Sequence, residues 1–198
     1  MAKFHYNESP SLSQKEGFSG YLSEDEDLVV VTGLSAAYLR NKFIIFLLWP
    51  GLVGLALGFG LGWFFDLNKA IAFGLGIVLM FAITMLRTMH IYHANRYLLT
   101  TRRVIIKHGL FSVKVQSALY DKITHIEVDQ SFMDRVFLHH GNIIINTAGV
   151  DKGEIVLHAV DYPMELKNLI ERLINKERIQ FGMNRGASTS TVEGEIID

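Results

Sequence analysis

His90 and His93 stand three residues apart in a stretch of helical pattern, a spacing that brings two imidazoles to one helix face where they could share a metal ion. No Asp or Glu lies near them in sequence, and the adjacent pair His139-His140 would point apart in an extended segment. Interfacial or core histidines are the expected reading, and no metal site is assigned. The chain has no Cys, which excludes disulfides, thiol catalysis and Cys-ligated zinc. It also lacks a nucleotide-binding glycine loop, a nucleophile elbow and an HExxH helix, so neither catalytic residues nor a cofactor are expected. The acidic run Glu24–Asp27 reads as solvated surface rather than a cation site.

The basic side chains form the most informative functional feature. The formal net charge of −1 hides a strong asymmetry: residues 1–39 carry two Lys against six acids, whereas residues 87–122 carry seven Lys and Arg against Asp121 alone. Arg87, Arg96, Arg102, Arg103 and Lys107 are the candidate contacts with lipid headgroups or another surface. Basic residues just cytoplasmic of a membrane span attract anionic headgroups at about 1 kcal/mol each when close to the surface. Three readings stay open: topology signals alone, docking on anionic lipid, or contact with a protein partner. Nucleic acid is not expected as a partner, because the chain is slightly acidic and shows no recognition element.

The elements that must position these groups begin with two apolar runs. Phe43–Phe65 is 23 residues without a charge, and Ala70–Leu86 is 17. About 20 apolar residues cross a bilayer core as a helix, so the first run spans, and the second does so if it continues to about residue 89 with Arg87 snorkelling. Between them, Asp66-Leu67-Asn68-Lys69 has turn composition. The pattern predicts a hairpin over 43–93, with spans at about 43–65 and 70–89. Arg40 and Lys42 precede it and Arg87, Arg96, Arg102 and Arg103 follow, so the positive-inside rule puts both termini in the cytoplasm. Gly54, Gly58 and Gly62 recur every four residues on one face, and Gly74 and Gly76 are the small residues of the second span, with Gly74 expected as the packing position. Such residues let helix backbones approach closely, within the hairpin or between copies in a homo-oligomer. Pro50 is positioned to kink the first span.

Outside the hairpin, residues 1–27 read as a disordered acidic lead and 28–42 as a short strand, Leu28–Val31, with a juxtamembrane segment. A soluble domain is expected over 94–176. Its β-prone runs are Tyr97–Thr100, Arg103–Lys107, Phe111–Gln116, Ile123–Val128, Ile143–Ile145 and Glu154–Val160. Leu166, Leu169, Ile170, Leu173 and Ile174 form an amphipathic stripe on a closing helix that starts near Pro163. Residues 177–198 read as a disordered tail. The fold class is α+β: a two-helix transmembrane hairpin followed by an antiparallel β domain closed by a C-terminal helix.

Three stretches carry a resemblance. Tyr97-Leu98-Leu99-Thr100-Thr101-Arg102-Arg103-Val104-Ile105-Ile106 with Gly109, then Asp121-Lys122-Ile123-Thr124-His125-Ile126 followed by Gln130-Ser131, then Gly141–Gly149, in this order resemble the pleckstrin-homology-like domains of small bacterial membrane proteins. Phe132–His140 is bulkier and richer in His than that pattern. The resemblance implies a non-enzymatic binding or scaffold role at the cytoplasmic face of the bacterial inner membrane. Membrane lipids and a membrane or cytoplasmic protein would be the partners. The rival reading is a structural subunit of an oligomeric membrane assembly packed through the glycine-rich hairpin.

Overall fold

A computed structural model describes residues 5–66, 68–110, 112–132, 134–148 and 154–192. The first element is a short helix, α1 (Leu12–Phe18), held by a capping box in which Ser11 and Gln14 bond each other's backbone N–H. β1 (Leu28–Gly33) follows, and then the apolar helices α2 (Ala36–Leu48), α3 (Pro50–Phe64) and α4 (Lys69–Ala94). After them come β2 (Asn95–Thr100), β3 (Arg103–His108), β4 (Lys114–Leu119), β5 (Ile123–Asp129), β6 (His140–Thr147), β7 (Glu154–Asp161) and α5 (Pro163–Val192). The strands form two antiparallel sheets ordered β1-β2-β3-β4 and β5-β6-β7.

The α+β class holds, with one change in its order. β1 pairs along β2, from Leu28 opposite Thr100 to Gly33 opposite Arg96. The sheet therefore includes a strand that the sequence pattern set apart from the domain at 94–176. The helical hairpin is inserted between two hydrogen-bonded neighbours. Strand pairing across such a separation leaves no local signature, because it is a tertiary fact.

Two side-chain layers hold the sheets. Val30, Tyr97, Leu99, Val104, Ile106, Tyr120, Ile143, Ile145 and Leu157 fill the space between them, closed by Leu166, Leu169, Ile170, Leu173 and Ile174 from α5. The stripe predicted for the closing helix is thus its buried face. On the outer face of the first sheet, Leu28, Leu98 and Ile105 are also buried, beneath Phe18, Tyr21 and Leu22. That cover explains why Tyr97-Leu98-Leu99 and Val104-Ile105-Ile106 are continuous apolar runs instead of alternating ones: β2 and β3 are buried on both faces. It also corrects the reading of residues 1–27 as a disordered lead, since residues 18–22 are a lid on the sheet. Similarly, α5 runs on to Val192 where a tail was expected from 177. No Pro or Gly interrupts residues 164–181, and Lys176-Glu177-Arg178 are good helix formers.

The hairpin has two helices long and apolar enough to cross a bilayer: Ala36–Phe64, of 29 residues, and Lys69–Ala94, of 26. The first breaks at Trp49-Pro50, as predicted, because proline supplies no backbone N–H to the helical ladder. The glycine ladder faces α4. A Cβ on Gly54 would lie 2.6 Å from the Met80 nitrogen, one on Gly58 would overlap the Gly76 backbone, and one on Gly62 would overlap the Ala72 side chain. Gly74 does not take part, since a Cβ there meets nothing within 4 Å. The residue opposite the ladder is Gly76, two positions on and on the other side of the helix. Sequence spacing cannot distinguish the two, because the phase of α4 depends on its partner.

Replacing Gly58 by Ile should therefore force the helices apart and cost about 1–3 kcal/mol of stability, whereas Gly74→Ile should change it by less than about 0.5 kcal/mol. Unfolding midpoints of the two variants in one detergent compare these directly; equal midpoints would show that the ladder does not carry the contact.

Candidate functional site

The five basic candidates do not form one cluster. β2 and β3 make a hairpin whose two ends are far apart: Asn95 pairs with His108 at the end joined to α4, and Thr101-Arg102 turn at the other. Six residues at about 3.3 Å each put Arg102 roughly 20 Å from Arg96. Arg102 is exposed at the far turn, facing Glu177 of α5. Arg96 stays at the helix junction, with its guanidinium 4.3 Å from the centre of the Tyr92 ring. Arg87 lies on α4, 5.3 Å from the Phe46 ring, and Lys107 sits 5.8 Å from the Tyr21 ring. Cations so placed over aromatic faces are held by the ring quadrupole while their charge stays near solvent.

Arg103 has an internal task. Its Nε and Nη2 donate to the Glu26 carboxylate at 2.8–3.1 Å, and Nη2 also reaches Ser23 Oγ. Glu26 is only 7% exposed. It accepts from Thr100 Oγ1 at 2.5 Å and from the Ser23 N–H at 3.1 Å. Burial opposes the charge of Glu26, but the donors from Arg103, Thr100 and Ser23 outweigh it and hold the carboxyl below its ordinary value. The acidic run read as solvated surface thus contains one buried member that clamps the N-terminal segment onto the β2–β3 turn. Arg103, expected as a headgroup or surface contact, has its guanidinium engaged by Glu26.

The junction between helices and domain is a second polar cluster. Ser35 caps α2 by accepting from the Ala37 N–H, donates through Oγ to Asp161 Oδ1 at 2.6 Å, and donates its own N–H to the Ala159 carbonyl at 2.7 Å. Tyr97 Oη donates to the His158 carbonyl at 3.0 Å. Asn95 Oδ1 lies 2.8 Å from His108 Nδ1, and Asn95 Nδ2 donates to the Ile91 carbonyl at 2.9 Å. Burial, with His158 and Lys114 nearby, holds the His108 imidazole below its ordinary value. Ala159 and Tyr162, on either side of this contact, adopt positive φ.

Among the described residues, two of the clefts that border the domain are the widest candidates for a ligand. One, of about 650 Å³, lies between β1 and the N-terminal segment and is lined by His5, Tyr6, Ser11, Gln14, Thr32 and Asp161. The N-terminal segment fills its rim: Tyr6 Oη bonds to the Asp161 carbonyl, and the N–H groups of His5 and Tyr6 both donate to Glu165. The other, of about 360 Å³, is an open groove between β5, an edge strand of its sheet, and α5. Ile123, Thr124, His125, Ile174 and Arg178 line it. Among the described residues, no three His, Asp or Glu side chains gather closely enough to hold a metal ion.

A family model described as "Bacterial PH domain" matches residues 29–174, a stretch that starts in β1 and spans the inserted hairpin. No curated protein matches the chain. Among solved structures, a DUF1696 family protein with a pleckstrin-homology domain from Shewanella loihica PV-4 is 12% identical, covering 84% of this chain and 99% of that one at a TM-score of 0.43. A pleckstrin homology domain from Shewanella amazonensis SB2B is also 12% identical, covering 86% and 92% at a TM-score of 0.45.

The depressed Glu26 value carries a signed pH prediction. The ion pair is fully stabilising above the unfolded-state carboxyl pKa and is lost as pH falls through the lower folded value. Glu26→Gln should cost about 3 kcal/mol near neutral pH by leaving Arg103 unpaired and should flatten the acid limb below about pH 4.5, the ordinary glutamate value. Denaturant midpoints of both proteins from pH 7 to pH 3 test this; parallel acid limbs would place the titration elsewhere.

Proposed function

We propose that this chain, which belongs to the bacterial PH domain family, is a non-catalytic membrane-anchored binding module whose open groove between β5 and α5 takes an extended segment of a partner protein. The observation that carries this reading is the edge position of β5 beside a groove that, among the described residues, is lined by β5 and α5. An edge strand presents unpaired N–H and C=O groups, and an added strand supplies partners for them while neighbouring pockets select side chains. The buried Ile123 and Ile174 form the floor of the groove, and the exposed Thr124, His125 and Arg178 offer polar contact.

The apolar hairpin supports an anchoring role. Leu48, Trp63, Val78 and Leu86 are exposed on its outer faces, as side chains surrounded by lipid would be. The domain joins it through Leu34-Ser35 on one side and with no intervening residue on the other, since β2 starts where α4 ends. Two short connections fix the domain's orientation, so the groove is presented at a set height above the bilayer. Arg40, Lys42, Arg87 and Arg96 favour the cytoplasmic side for both ends of the hairpin.

A photo-crosslinking residue at Thr124 in native membranes should yield a discrete protein adduct, while one at Ser117, exposed on β4 of the other sheet, should not. Equal labelling at both positions, or none at Thr124, counts against the groove. A reporter fused after Asp198 should behave as cytoplasmic; an external signal would invert the orientation.

A further inference from the structure

The end of the domain nearest the hairpin carries two loops that the binding groove does not use. The β3–β4 connection starts at Gly109, whose N–H donates to the carbonyl of Ala94, the last residue of α4, at 2.7 Å. Leu110 and Val113 in this loop are 43% and 44% exposed. The β5–β6 connection includes the helical turn Asp134–Leu138 and leads into His140, the first residue of β6. The His140 ring stands edge-on to that of Tyr38 in the first turn of α2, with centroids 5.9 Å apart. In this second loop Phe132 is 75% exposed and Val136 46%. Lys114 and Arg135 are exposed beside them. The first loop is thus bonded to the end of α4, and the second leads into a residue that packs on the start of α2.

Helix length sets the height of these loops. From Lys69, about 20 residues at 1.5 Å each cross a core of about 30 Å, which leaves the last turn of α4, with Tyr92 and Ala94, in the headgroup layer. A loop bonded to Ala94 starts at that depth. Exposed aliphatic and aromatic side chains there would be costly in water, and cationic neighbours would be favoured by anionic headgroups.

We infer that Leu110, Val113, Phe132 and Val136 seat in the lipid interface on either side of the hairpin, with Lys114 and Arg135 on headgroup phosphates, so that the domain rests on the bilayer at four apolar points. This rests on the anchoring half of the proposed function and not on the β5 groove. It gives the bulky Phe132–His140 segment a role: Phe132 and Val136 enter the interface, and His140 braces the loop against α2.

The absence of Cys makes the test direct, because single cysteines can be introduced without background. Spin labels at Leu110→Cys, Phe132→Cys, Gly74→Cys and Asp121→Cys are compared in the full chain reconstituted in nanodiscs with anionic lipid. Labels at 110 and 132 should be several-fold more accessible to oxygen than to a water-soluble nickel complex, as at 74, while the label at 121 shows the reverse. If 110 or 132 behaves like 121 while 74 remains lipid-exposed, the seated-loop proposal is overturned and the anchor stands. If 74 is also aqueous, the anchor itself is wrong.

Discussion

The hydrogen-bonded ladder between β1 and β2 is the constraint on which the rest of the architecture depends. It joins two segments separated by the whole helical hairpin, and it forces the hairpin's two ends to emerge side by side at Gly33 and Arg96. Once those ends are adjacent, α3 and α4 must run antiparallel and close, and the glycine ladder allows that approach. The same ladder places Ser35 against Ala159 and Asp161, which ties the second sheet to the start of α2. A domain built this way cannot swing on its helical hairpin.

Elements defined by local pattern were legible in the sequence. The uncharged runs marked the helices, Pro50 marked the break, and the Leu166–Ile174 stripe marked the buried face of α5. These signals are written in residues that are neighbours along the chain. What depends on remote partners was not legible. Leu28–Val31 looked like an isolated strand because its partner lies beyond the hairpin. Glu26 looked like one acid among four because only Arg103 and Thr100 distinguish it. Gly74 and Gly76 are equally small, and only the position of α3 decides which is in contact.

The basic residues show the same division. Counted along the sequence, Arg96, Arg102 and Arg103 form one group; folded, they do three different things. Arg96 remains at the junction over Tyr92, Arg102 sits at the far turn, and Arg103 clamps Glu26. The length of β2 separates Arg96 from Arg102 and Arg103, which a charge count treats as one place. The candidate binding groove was not foreseen at all, because it is made by the edge of one strand and the side of a helix some forty residues on.

The insertion of the hairpin within the sheet also orders the biogenesis of the chain. β1 leaves the ribosome before either apolar helix, yet it has nothing to pair with until β2 follows α4. Its cover of residues 18–22 and its exposed edge must wait through the passage of residues 34–94. Long-range pairing of this kind forms late, after the intervening segment has settled. If only one of the two helices crossed the bilayer, β1 and β2 would be left on opposite sides and the domain could not close. For a hairpin that crosses a bilayer, closing the β1–β2 ladder would thus require an even number of crossings.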